Sequence, residues 1–390
     1  VVARSAAATL LLVGVVACGV PAREVRSPFD SAGVQLVEYA ADGDGALPYE
    51  VSRVPLTVFD ARRADSLAGG DLWHRGNVVA IERGDGSLVS LERFRVWTLD
   101  QGGDSVVVQG EQGSGPGEFA DLRTLCRTRG DTVAIYDEGN RRLSLLLPDG
   151  DLREVRPIEG LIPQHGCFDD GTVAVVGTIS AASSTPTWRI HLQTLGGGML
   201  DSVTTAPATT VDRGVVIPVH VVAHGQRLFV VDGRSGEIRR YTAKGQLMAI
   251  WRSASPPEPM SDREHARLLE LQFPSANTRR QTLRRPASRR TNERALTWPF
   301  FGGAHPDNAG GLWVSDYIRW PGDAWRWIHF DSSGTPVGQV TAAALACGSA
   351  RCRVVGFGDG TIRIARQDDD GFWRLTVHAI QLHEPSRTTQ

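Results

Sequence analysis

Three histidines stand where the sequence places chemistry. His165 and His220 each lie eight residues before the first apolar residue of a strand-like run, at Val173 and Leu228, and His305 lies seven before Leu312. If those runs are repeats of one unit, the imidazoles occupy equivalent positions and converge on one point. Three neutral imidazoles hold zinc or a similar divalent cation with one coordination position left for water or substrate. A metal held there lowers the pKa of bound water enough for hydrolytic or eliminative chemistry. The competing reading is that each ring hydrogen-bonds a backbone group where units meet. His224 also competes with His220 for its place.

A second group of residues speaks of binding. Arg319, Trp320 and Trp325 fall in the hairpin-like run Asp316 to Trp325, where exposed indoles stack on a sugar or a peptide or else pack beneath a neighbouring segment. Arg279, Arg280, Arg284, Arg285, Arg289, Arg290 and Arg294 crowd one stretch that has no acid before Glu293. Such a run either docks an anionic polymer, lipid headgroup or acidic protein, or is a solvated insert. No GxSxG elbow, HExxH, P-loop or EF-hand loop is present. Without those motifs a binding protein is the first expectation. A metal-dependent lyase or hydrolase built on the three histidines is the alternative.

The cysteines and the N-terminus give the address. One arginine, an apolar run and small residues precede Cys18 in Val15-Val16-Ala17-Cys18-Gly19, the layout of an export signal over residues 1–17. Residues 18–32 then read as a tether whose acyl chains on Cys18 anchor it in a membrane. An exported chain can form disulfides. Cys347 and Cys352 flank a Gly-Ser-Ala turn and are the favoured pair, leaving Cys126 and Cys167. Four buried free thiols are the other reading.

The elements that must position these residues follow from composition and repetition. In 390 residues, 43 glycines and 21 prolines suit a chain full of turns, and 41% apolar with 22% charged residues suits a folded one. A net charge of −2, with Lys244 the single lysine, argues against a nucleic-acid partner. A Gly/Asp turn followed by an alternating apolar strand recurs with first strand residues at 88, 133, 173, 228, 312 and 362. A spacing of roughly 40 to 55 residues with period-two strands matches a four-stranded propeller blade. Asp137, Asp232 and Asp316 recur at one blade position, where a carboxylate accepts the N–H groups of its own turn. The long interval holds an insertion, 254–301, whose Ser261-Asp262-Arg263-Glu264 is a capping box opening a short helix. Gly33 to Tyr39 is a strand left over before the first unit, expected to complete the last blade and close the ring.

The run Gly110-Glu111-Gln112-Gly113-Ser114-Gly115-Pro116-Gly117-Glu118-Phe119 resembles the signature of bacterial six-bladed β-propeller lipoproteins, a family similar to NHL-repeat propellers. The resemblance, with the repeat pattern, spans about nine tenths of the chain. It implies the fold and leaves the function open. Some similar propellers are metal-dependent lyases or lactonases. Glu118, in the run's GPGEF end, joins Arg319, Trp320 and Trp325 as a candidate ligand contact.

The expectation is therefore an all-β, six-bladed propeller over residues 33–383, with a tail at 384–390. It sits in the bacterial envelope, periplasmic or outer-membrane anchored, as a monomer. A protein, peptide or carbohydrate ligand is expected on the face carrying the insertion, with zinc as the one cofactor in question.

Overall fold

The computed structural model describes residues 29–382 apart from 32, 41–45, 69–71, 74–77, 159, 164–165, 181–186, 195–197, 213–214, 273–274, 276–295, 308, 321–322 and 346–351. The chain is mostly β. Segments between Gly/Asp turns fold back on one another as antiparallel meanders, with second strands such as Val133–Asp137 buried throughout. The first is Val79–Glu82, Leu88–Glu92, Arg95–Leu99 and Val106–Gln109, paired in that order. Its opening turn shows why the repeat begins with Asp and Gly. The Asp85 carboxylate accepts the Ser87 N–H at 2.9 Å, and Gly86 takes a φ of +79° that an L side chain rarely adopts.

The same meander follows over Leu122–Arg127, Val133–Asp137, Arg142–Leu146 and Leu152–Pro157. Thr172–Ser180, Thr187–Thr194 and Met199–Pro207 form a three-stranded sheet. Its inner edge is met by the isolated bridges Leu161 to Val176 and Cys167 to Val173. Val219–His224, Arg227–Asp232, Glu237–Thr242 and Leu247–Ser253 come next. Phe301–Pro306, Leu312–Asp316, Arg326–Phe330 and Pro336–Thr341 follow them. Cys352–Gly358, Thr361–Gln367 and Trp373–Leu382 end the series. Five of the six residues marking the sequence repeat lie in the second strand of one of these sheets, and Val173 lies in Thr172–Ser180, the first strand of the three-stranded one.

The first strands of the sheets are neighbours around a common channel. Val79–Glu82 lies beside Leu122–Arg127 and Cys352–Gly358, while Phe301–Pro306 lies between Val219–His224 and Cys352–Gly358. The Cys126–Cys167 disulfide joins the second and third units at the same level. Sheets radiating from a channel bury their apolar faces against one another. Phe229 and Trp251 of the fourth, for example, pack on Leu312, Val314 and Phe330 of the next. Each such side chain contributes about 1.5–3 kcal/mol by leaving water. The architecture is a β-propeller.

The N-terminal strand corrects one expectation. Val34–Tyr39 does not complete the last sheet; it pairs in parallel with Leu247–Ser253. Val37 and Tyr39 are buried there in the core of Trp251 and Phe330, and the Tyr39 hydroxyl donates to the Gly236 carbonyl at 2.8 Å. The chain then laces onward as a strap. Leu47–Val51 lies between Pro336–Thr341 and the end of Trp373–Leu382, joining two meanders into one sheet. Thr57–Asp60 finally pairs antiparallel with Trp373–Leu382 and covers that edge. Its Phe59 is wholly buried against Trp73, Leu375 and Val377, and Asp60 accepts from Arg374 at 2.7 Å. Asp60 then caps helix α1 (Ala61–Ala68), accepting the Arg62 N–H at 3.0 Å.

The insertion carries helix α2 (Asp262–Gln272) behind the expected capping box. Ser261 N–H donates to the Glu264 carboxylate at 2.8 Å, and Glu264 N–H to the Ser261 hydroxyl at 3.3 Å. Met260, Leu268, Leu296 and Trp298 pack on Val215 and Ile217 from the preceding connection. The arginine run from Arg279 to Arg294 lies outside the described residues, as does Cys18. Among the described residues, no helix is long and apolar enough to cross a membrane.

Candidate functional site

The innermost strands all run in one direction, so their first residues line one end of the channel and their last residues the other. We term upper the end where the strands begin and where the insertion enters. Val219 to Val222, Gly302 to His305 and Cys352 to Val354 border an upper cavity of about 580 Å³. Ala223 and His224, with Val355 and Phe357, border a lower one of about 810 Å³, and His305 touches both. Volumes of this order hold small organic ligands.

The walls of the upper cavity are aromatic and aliphatic. Trp188, Trp325, Trp327 and Tyr136 supply ring surface, and Leu161 and Ile318 stand exposed at its mouth. Most of its polar groups already have partners. Tyr136 donates to the Gly160 carbonyl at 2.6 Å, and Thr124 to that of Ile162 at 3.1 Å. Arg123 bridges Asp121 at 2.8 Å and Glu138 at 3.2 Å.

Three groups differ. His220 is held by the Gly302 backbone while its Nε2 is buried with no hydrogen-bond partner. Burial pushes its pKa down to about 4, so the ring is neutral near pH 7. The Trp325 Nε1 is likewise buried without a partner. Arg353 has Nε and Nη2 buried and unpartnered, with the Trp373 ring 5.0 Å from its guanidinium carbon. Desolvation pulls its pKa below the ordinary arginine value, though the group stays cationic.

The residues singled out from sequence divide sharply against this geometry. His220 and His305 do share the cavity wall, and His305 packs on Trp327 with ring centroids 5.0 Å apart. His165 lies outside the described residues. Among the described residues, no group of three His, Cys, Asp or Glu side chains is placed to hold a metal. His224 lies at the lower end, its pKa depressed mainly by burial.

Trp325 was expected in an exposed loop and is instead only 6% exposed, because it closes the core between two sheets and presents its edge to the cavity. Trp320 packs beneath the insertion, 5.4 Å from Trp298, with the Arg267 guanidinium 4.4 Å above it. Arg319 pairs with Glu258 at 2.7 Å and so fastens the hairpin to the insertion. Glu118 is also occupied, accepting the Gly115 N–H at 2.8 Å within its own loop. Arg142 donates to the Ser114 carbonyl at 3.0 Å and to that of Gly115 at 2.9 Å, which makes the glycine-rich run a clasped connection. Arg319, Trp320 and Glu118 are thus absent from the walls of both cavities.

Asp137 is fully buried and accepts N–H groups from Asp121 at 2.9 Å and Asn140 at 3.3 Å; Asp232 accepts from Arg234 at 2.9 Å. Asp316 departs from this turn role and pairs with Arg326 at 2.8 Å. Cys126 and Cys167 are bonded to each other. Cys352 is also disulfide-bonded, and Cys347, its expected partner, lies outside the described residues. Arg353, the group of greatest electrostatic consequence, was not anticipated. Its signal was faint: a charged residue on an innermost strand, next to a cysteine.

No protein-family model matches the sequence, and no curated protein is similar to it. Among solved structures, a member of the DUF4221 family from Bacteroides vulgatus is similar over 86% of this chain and 99% of its own, at 10% identity and a TM-score of 0.50. A Bacteroides fragilis protein described as exported is similar over 78% of this chain and 90% of its own, at 12% identity and 0.48. A virginiamycin B lyase from Staphylococcus aureus covers 77% of this chain and 80% of its own, at 15% identity and 0.37. The first likeness is one of fold alone, and the other two carry no argument about activity.

Proposed function

We propose that this chain is an exported, six-bladed, NHL-like β-propeller that holds a small organic ligand in its upper cavity and is tethered to the bacterial envelope through lipidated Cys18. The observation that carries the binding role is the upper cavity itself. Apolar and aromatic walls around a cation that has no counter-ion are what a pre-formed ligand site offers. The six-blade reading is supported by six successive antiparallel units on one channel. Export is supported by the Cys126–Cys167 disulfide, since such bonds persist in oxidising compartments.

The neutral fluorescent probe N-phenyl-1-naphthylamine tests the cavity. Its emission is expected to rise on binding the wild type and to lose that rise in a variant carrying Leu161→Trp and Ile318→Trp, which fill the mouth from exposed positions. An unchanged rise in that variant would place the probe elsewhere and remove the basis for the proposal. For the tether, Cys18→Ser is expected to release the protein to the soluble fraction.

A further inference from the structure

We infer that the ligand of the upper cavity is an apolar, ring-bearing molecule with one carboxylate, its charge being read by Arg353. This rests on the cavity being a binding site and goes on to specify what it selects.

Arg123, Thr124 and Tyr136 are engaged by the protein, as described above. What remains is one unpaired charge, the guanidinium of Arg353 on the lining, while the unpartnered Trp325 Nε1 and His220 Nε2 expose no surface to the cavity. A buried cation without a counter-ion is strongly disfavoured. Arg239 has its counter-ion in Glu237 at 2.8 Å and Arg326 in Asp316, while the buried Arg142 and Arg83 are held by backbone carbonyls. Among the described residues no carboxylate lies within ion-pair distance of Arg353. A ring face is its one close companion.

The missing counter-ion is therefore supplied by the ligand, and its charge is bounded by the wall. The planar fork of one guanidinium matches the two oxygens of a carboxylate. A dianionic phosphate would meet the same unpaired cation with Glu138 also on the lining. Ring surface from Trp188, Trp325 and Trp327 favours a planar apolar body.

Indole-3-acetate and indole-3-acetamide are a matched pair of probes, alike in ring, N–H and size and differing in charge. Titration calorimetry on the full chain is expected to show the acid binding at least tenfold more tightly than the amide. In Arg353→Gln, and in Arg353→Met as an independent replacement, that ratio falls to about one. Equal affinities of acid and amide in the wild type overturn the carboxylate assignment, as does a tenfold ratio that survives both substitutions. If N-phenyl-1-naphthylamine binds but neither indole displaces it, the ligand class is wrong and the binding role stands. If the neutral probe itself fails to bind, the binding role falls.

Discussion

The two ends of one channel treat arginine in opposite ways. At the lower end Arg363 springs from a second strand and crosses the innermost one over Gly356, where a Cβ would stand 2.9 Å from its Nη2. It arrives beside company: the Phe357 carbonyl at 2.5 Å and the Glu82 carboxylate at 3.9 Å, with Nε alone lacking a partner. Arg127 reaches the Glu82 carbonyl at 3.3 Å and Asp131 at 3.8 Å, and Asp131 accepts the Gly84 N–H at 3.0 Å. At the upper end Arg353, on the innermost strand of the same sheet, meets a ring face and an open cavity. Both cavities are large, so volume does not tell them apart. What separates them is that the lower end sets carboxylates beside Arg363 and Arg127, with Arg83 held by the Leu147 carbonyl, whereas Arg353 at the upper end has neither. The lower end is wired for structure and the upper end is left for something else.

The largest expected effect belongs to the lower end. The Cys126–Cys167 bond spans a sequence separation of 41, and on the loop-closure account removing it by Cys126→Ala with Cys167→Ala lowers stability by about 4 kcal/mol. Denaturant unfolding measures this, while binding of the neutral probe at the upper end stays within twofold. Loss of probe binding in the folded double variant would show that the two ends are not separable.

Next comes the upper histidine. The His220 pKa, about 4 when folded against 6.5 ordinarily, lies below its unfolded value. Above pH 6.5 both states hold a neutral ring. As pH falls from 6.5 toward 4 the unfolded chain takes up a proton that the folded chain refuses, so stability drops by about 3 kcal/mol across that window. His220→Gln lacks this component, and the free-energy gap between variant and wild type is expected to move by that amount between pH 7 and pH 4. A constant gap would mean that His220 is solvated.

The sharpest form of the contrast pairs two identical substitutions. Arg353→Met is expected to raise stability by about 1–2 kcal/mol, because it removes unpartnered buried donors. Arg363→Met is expected to lower it by about 1–3 kcal/mol, because Glu82 loses a counter-charge. Shifts of the same sign would break the comparison. The smallest effect is that of Glu118→Gln, which weakens one loop hydrogen bond, by about 0.5–1 kcal/mol, and leaves probe binding unchanged.

The sequence made the repeat legible because Gly/Asp turns and period-two strands are local signals, and five of the six markers fell in a second strand. Ring closure was not legible. Val34–Tyr39 and Thr57–Asp60 are both short strands with buried aromatic residues, Tyr39 and Phe59, and which edge each joins depends on contacts hundreds of residues away. Trp320 and Trp325 show the same limit. They sit five residues apart in one hairpin, yet one lies under the insertion and the other edges a cavity, a difference that only packing decides. Arg353 was hidden for a further reason: its importance lies in the partner it lacks, and sequence does not display an absent counter-ion. The disulfide partners were half legible, since the even count suggested pairing while the Cys126–Cys167 contact spans two units.

The most direct test of the account is to locate a bound acid. Crystals soaked with a brominated naphthylacetate report the bromine by its anomalous signal. The account predicts one peak in the upper cavity among Trp188, Trp325 and Trp327, with the carboxylate turned to Arg353. A peak at the lower end beside Arg363 and Glu82, with the upper cavity empty, would contradict it.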